Sequence, residues 1–310
     1  MWKASLLCKS LYRDLDEAYQ ECCVHSVFDH AVNLILSGEM VTLLSSGRFL
    51  YPYSFILREP SVLDKALFRP QMRAYISRHG FKVPDASIMV GFDGAELLDL
   101  SILSNGPYII PEYLDMRLEY LISFLAKSKP GGICSLATDA EPNLYAEAVR
   151  PHIFRLLRAF FEGDDESAER ISACMAGYGL GLTPSSDDFL AGFLAAYAVM
   201  SAVIMKNTGN TLEVIRRAGY AAASRTVDIS AAFLRQIGKG MASVAVLELL
   251  RAFFSNAPYD VLFSSVKRVM SIGATSGSDM LTGIVICIRY FLKYENKEEY
   301  NHEPGSYAKH

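Results

Sequence analysis

An α+β protein, with a β-containing N-terminal domain followed by an all-helical C-terminal domain, is predicted by two changes of texture along the chain. Up to about residue 110, short β-prone runs alternate with turn signals. From Pro111 onward, apolar residues recur at three- and four-residue intervals, and beyond Tyr294 no apolar face remains. The expected divisions are therefore 1–110, 111–295 and a polar tail over 296–310, frayed for want of an apolar face to bury.

In chain order, Leu11 to Cys22 is compatible with a helix. Cys22-Cys23 reads as a strand or helix edge leading into Phe28. Met40 to Leu44 and Ser54 to Leu57 read as strands, separated by Ser45-Ser46-Gly47 and Tyr51-Pro52. Leu63 to His79 suits helix and irregular structure equally. Ala86 to Gly91 is a further strand, and Phe92-Asp93-Gly94 before Glu96 to Leu100 predicts a hairpin. Leu114, Leu118, Leu121, Ile122 and Leu125 form the apolar stripe of a helix that Lys129-Pro130-Gly131-Gly132 should stop. Helical spacing resumes over 141–161, 167–175, 187–205, 211–224, 227–237, 242–254, 259–270 and 278–294.

The chain has 310 residues, half of them apolar, and a net charge of −4 with no basic run, which excludes a nucleic-acid footprint. The six cysteines form no C-x-x-C pair and read as buried thiols of a reducing compartment. A metal held by Cys22, Cys23, His25 and His30 is the weaker alternative. Lys3, Lys9 and Arg13 are not followed by an apolar core, so no signal peptide and a cytoplasmic location are expected. The greasiest stretch, Phe189 to Met205, has seventeen residues without a charge, yet its Ala/Gly content and helical surroundings mark a buried helix rather than a membrane span. His25, His30, His79 and His152 stand in unrelated contexts and read as structural, as does Lys239.

Two segments carry more polar groups than ordinary caps need. In the first, Gly177, Gly179 and Gly181 precede Thr183, Ser185, Ser186, Asp187 and Asp188 at the mouth of an apolar helix. The second, Ile272 to Gly283, contains Ser276, Gly277, Ser278 and Asp279. Laying Asp188 on Asp279 also matches Leu190 to Leu281 and Gly192 to Gly283. Helix starts favour anions, so the pair is expected to face one small anionic ligand such as phosphate, carbamoyl phosphate or an oxamate-like carboxylate. Asp187, Asp188 and Asp279 are the candidate catalytic groups. The expected binding set is Gly179, Gly181, Thr183, Ser185, Ser186, Arg225, Thr226, Ser276, Gly277 and Ser278. Thr226 and Ser230 lie one turn apart, and Arg225 either neutralises the ligand or pairs with Asp228. No metal or cofactor is expected, because neighbouring aspartates on a helix point about 100° apart.

Gly181-Leu-Thr-Pro-Ser-Ser-Asp-Asp-Phe-Leu-Ala-Gly192 resembles the Gly-Leu-Thr-Pro-Ser-Gly-Asp-Asp signature of the AllH family. Ser276-Gly-Ser-Asp-Met-Leu-Thr-Gly283 resembles that family's second signature, and Ser26 to Asn33 with Gly38 to Leu43 is similar to its N-terminal strand segment. The resemblance implies a subunit of the oxamate carbamoyltransferase of anaerobic allantoin breakdown, which converts oxalurate and phosphate into oxamate and carbamoyl phosphate. It implies further subunits as partners. It also implies a site lined by Thr183, Ser185, Asp187 and Asp188, with Ser276, Ser278 and Asp279 opposite. Ser186 stands where the signature has glycine and Leu180 where proline is common, departures that allow for another carboxylate substrate. Two alternatives remain open at this point: a non-catalytic metabolite-binding scaffold, and a Mg²⁺-dependent hydrolase using Asp187, Asp188 and Asp279.

Overall fold

The computed structural model describes residues 2–127, 132–205 and 208–302. Its first part is built from nine strands: β1 (Trp2–Cys8), β2 (Gln20–Val27), β3 (Ala31–Leu36), β4 (Glu39–Leu44), β5 (Ser54–Leu57), β6 (Arg73–Ser77), β7 (Gly80–Val83), β8 (Ile88–Gly91) and β9 (Glu96–Leu98). Their order is β5-β4-β3-β2-β6-β7-β8-β1-β9. Because β5 pairs with β1 as well as with β4, the sheet closes into a barrel. Closure satisfies the edge hydrogen bonds and lets β5 be buried at all four positions.

Three N-terminal expectations need correction. The helix between Leu11 and Cys22 is only α1 (Lys9–Asp14), after which the Cys22-Cys23 pair sits within β2. The ambiguous stretch 63–79 contains a 3₁₀ turn, Lys65–Leu67, and then β6. Phe92-Asp93-Gly94 does form a turn, with the Ala95 N–H donating to the Phe92 carbonyl at 3.0 Å, but it makes no hairpin. Strands β8 and β9 both run parallel to β1, and the register passes from Lys3↔Gly91 to Leu6↔Glu96. The turn is an outward excursion in a chain that keeps its direction along β1, as a bulge does.

The second part comprises α2 (Leu114–Lys127), α3 (Leu144–Glu162), α4 (Asp165–Met175), α5 (Ser185–Met200), α6 (Thr208–Ala223), α7 (Asp228–Gly238), α8 (Val244–Phe253), α9 (Tyr259–Met270) and α10 (Ser276–His302). The expected stop at 129–132 falls mostly outside the described residues. Helix α10 continues past Tyr294 into the expected polar tail, where Glu295, Lys297, Glu298 and Glu299 are good helix formers. Every residue of α5 is buried, including its four polar N-terminal ones. The stretch Ser185–Val203 is long and apolar enough to cross a membrane by length and composition, and here it forms the centre of the helical bundle.

The two parts share one continuous apolar cluster. Backbone bonds stitch them together: Ile102 N–H to Gly240 O at 2.8 Å, Val244 N–H to Leu50 O at 3.0 Å and Ala242 N–H to Leu100 O at 3.1 Å. Lys239, between two glycines, pairs with Glu39 of β4 at 3.1 Å, and His25 with Asp228 at 3.3 Å, whereas the Arg225–Asp228 pair, one of the two alternatives for Arg225, is not made. The cysteines are free thiols, and burial pushes that of Cys22 up to about 12.

Candidate functional site

The two polar helix starts meet. Helices α5 and α10 pack along their length, and the hydroxyls of Thr183 and Ser276 touch at 3.0 Å. A methyl group on Gly192 would overlap the Met280 carbonyl, and one on Gly283 would overlap the Phe189 carbonyl. Phe189 and Met280 are equivalent in the sequence match, as are the two glycines, so the contact is reciprocal. The hydroxyls repeat the exchange: Ser276 favours the charged form of Asp188, and its counterpart Ser185 favours that of Asp279.

Three aspartates that look alike in sequence have different surroundings. Asp187 is saturated: its Oδ1 accepts from the Gly177 N–H at 2.7 Å, and its Oδ2 from the hydroxyls of Ser230, at 2.6 Å, and Thr226. It ties the glycine loop to α7, while the Ser186 hydroxyl accepts from the Tyr178 N–H at 2.9 Å. Asp187, Ser186 and Thr226, expected as catalytic and ligand-binding groups, are here hydrogen-bonded to one another's segments within this internal knot. Asp279 is inaccessible, accepts from the Ile133 N–H at 2.7 Å, and lies against Gly132, where a side chain would displace it. Asp188 is 3 % exposed and borders a cavity, and its Oδ2 and the Oδ2 of Asp279 have no hydrogen-bond partner. Burial, opposed by the Ser276 and Thr183 hydroxyls and reinforced by the Asp279 charge, pushes Asp188 up to about 8. Burial likewise raises Asp279 to about 6.

The cavity has a volume of about 370 Å³ and lies between barrel and helices. Thr183, Asp188 and Ser276 form one polar end. The barrel contributes Phe28, Asn33, Thr42 and Tyr51, and α7 contributes Phe233 and Gln236. Thr42 donates to Asn33 Oδ1 at 2.9 Å, a buried polar pair within apolar strands. The barrel wall and Gln236 were not among the expected site residues. The signal available for Asn33 and Thr42 was a polar side chain inside Ala-Val-Asn-Leu-Ile-Leu and Glu-Met-Val-Thr-Leu-Leu.

The remaining expected residues fall elsewhere. Gly177, Gly179 and Gly181 all take positive φ, 87°, 140° and 93°, and Gly179 packs over the Ser185 nitrogen. Gly277 packs against the Val269 carbonyl of α9, and the Ser278 hydroxyl donates to Thr275 O at 2.6 Å. Arg225 lines a separate surface pocket with Arg170, Cys174 and Tyr178. The helix-start N–H groups expected to hold an anion are largely engaged: Ser186 with Tyr178 O, Asp187 and Asp188 with Pro184 O, Gly277 with Ile272 O, Asp279 with Thr275 O. The lining of the cavity contains no Lys, Arg or His among the described residues. What converges on it is hydroxyl, carboxyl and amide groups. With Asp187 committed to its own donors, the three aspartates do not share one ion site. No group of three or more His, Cys, Asp or Glu is placed to do so among the described residues.

A family model described as oxamate carbamoyltransferase subunit AllH matches residues 175–288, and one described as the AllH family N-terminal domain matches residues 3–97. No curated protein and no solved structure shows significant similarity to the chain. The first match takes in both glycine-flanked helix starts and the second takes in the barrel; the chain belongs to the AllH family.

Proposed function

We propose that the chain acts in the cytoplasm as the AllH-type subunit of a carbamoyltransferase in purine and allantoin nitrogen catabolism, and that the Asp188 end of the cavity receives the carbamoyl group. The observation that carries this reading is the placement of Asp188, Thr183 and Ser276 together at the polar end of a cavity. Burial pushes the Asp188 carboxyl up to about 8, which favours its protonated form at neutral pH, and that form offers one O–H donor and one acceptor. A carbamoyl group presents the complement, a carbonyl oxygen and an N–H on adjacent positions. As negative charge grows on that oxygen during transfer, the Asp188 proton and the two hydroxyls stabilise it.

The charged parts of oxalurate, phosphate and carbamoyl phosphate need cations that the cavity lining does not supply. On this reading other subunits of the assembly hold them across the cavity mouth. The same lack of Lys, Arg and His favours, as a second reading, a subunit that binds the metabolite while its partners perform the chemistry.

The test is turnover by the reconstituted assembly containing Asp188→Asn, which preserves shape but removes the titrating proton. A loss of about 10²-fold or more in kcat with normal assembly is expected. Undiminished turnover in both Asp188→Asn and Asp188→Ala would sink the proposal. Loss of substrate binding with kcat preserved at saturation would favour the binding subunit.

A further inference from the structure

The cavity is larger and more apolar than oxamate or phosphate requires. Its volume of about 370 Å³ falls in the range of about 300–1,000 Å³ that encloses drug-sized ligands. Away from the polar end, its wall is made by side chains such as Phe28, Leu44, Ile229, Phe233, Val246 and Met280. Among the described residues of the lining, no Lys, Arg or His offsets the desolvation of an anion. Two polar side chains that border the cavity have an oxygen without a partner. Asp188 Oδ2 and Gln236 Oε1 are shielded from solvent without a hydrogen-bond partner, and both residues are 3 % exposed and border the cavity. Gln236 Nε2 reaches Glu39 at 3.4 Å, which leaves Oε1 as the free end of the amide. Gln236 Oε1 is an acceptor and the protonated Asp188 carboxyl both donor and acceptor; leaving such buried groups without partners is a standing cost that a head bearing both C=O and N–H removes.

We propose that this cavity binds an uncharged molecule with an apolar body and an N–H-bearing carbamoyl head, the head at Asp188 and the body against Phe28, Ile229, Phe233 and Met280. This rests on the reading that the Asp188 end receives a carbamoyl group, and it adds a substrate class: substituted amides or ureides whose apolar part fills the space between barrel and helices.

The experiment is a ligand-observed NMR titration of the full chain at pH 7 with acetamide, butyramide, hexanamide, hexanoate and oxamate. Affinity is expected to rise about fourfold per added methylene along the amides, and hexanoate to bind at least about tenfold more weakly than hexanamide. Ala191→Leu, which fills the cavity from α5, is expected to abolish the advantage of hexanamide and leave acetamide unchanged. Should that variant fail to fold, Ala242→Leu fills the cavity from another position of the lining. Equal binding of all three amides, with oxamate also bound, overturns the apolar-body inference and leaves the carbamoyl reading standing. Tighter binding of hexanoate overturns the uncharged class. Hexanamide binding that survives a folded cavity-filling variant overturns the location, and no binding by any compound overturns both readings.

Discussion

Asp188 carries a pH dependence opposite to that of most carboxylates. Its proton affinity is higher in the folded chain, about 8 against 3.8, so between these values the native state holds a proton that the unfolded state has lost. Stability is therefore greatest, as far as this group is concerned, below about pH 4. It declines by up to about 1.4 kcal/mol per pH unit as pH rises, and levels off above about pH 8. Asp279 adds a decline in the same direction that ends near pH 6. Denaturation of Asp188→Asn between pH 4 and pH 9 is expected to show the variant gaining on the wild type across the window; a constant difference would refute the burial of an ionisable group there. Thr226→Val tests the neighbouring carboxylate. Leaving Asp187 with one donor fewer is expected to destabilise the fold by about 1–3 kcal/mol, measured by urea unfolding. The acidic cluster was legible in the sequence, but the division of labour within it was not. Adjacent aspartates on a helix diverge by about 100°, and which of them meets Thr226 and Ser230 depends on where α7 comes to lie.

The contact of α5 with α10 sets the geometry of the polar end. Gly192→Ala and Gly283→Ala each place a methyl against a backbone carbonyl of the other helix, and neither obstacle is a side chain that can swing aside. Each is expected to cost about 1–3 kcal/mol in thermal or urea unfolding. The double variant should lose less than the two together, because helices parted by the first methyl accommodate the second. Strict additivity would mean that the two sites are relieved separately. The helices themselves were largely legible, since a 3.6-residue repeat is a local signal, and Tyr259–Met270 falls where the spacing put it. The barrel was less so. Strand β1 pairs only with strands distant in sequence, β5, β8 and β9, and the Asp93-Gly94 turn looks like a hairpin until β1 is seen to run alongside both flanking strands.

At the scale of the whole molecule, barrel and helices share one core and exchange backbone hydrogen bonds, with the cavity at their junction. Calorimetry of the full chain is expected to give a single transition. Residues 111–310 expressed alone are expected to show exposed apolar surface and no sharp melting, because removing the barrel uncovers the apolar face of α7 and Met241. Two well-separated transitions would contradict this. The same junction explains why much of the cavity lining escaped the sequence: Asn33, Thr42, Tyr51 and Gln236 come together only when two parts of the chain with different periodicities dock.

The reciprocal packing of Gly192 on Met280 and Gly283 on Phe189 is the geometry of an isologous dimer interface, folded here into a single chain. In a true dimer every substitution appears twice, and both copies of an aspartate must serve the same purpose. Covalent linkage lifts that constraint. One aspartate, Asp279, is sealed by Ile133 and Gly132, while its mate Asp188 opens onto the cavity. A contact with two-fold symmetry thus brings one of its carboxyls to the cavity and leaves the other buried behind it, where its charge raises the proton affinity of the first.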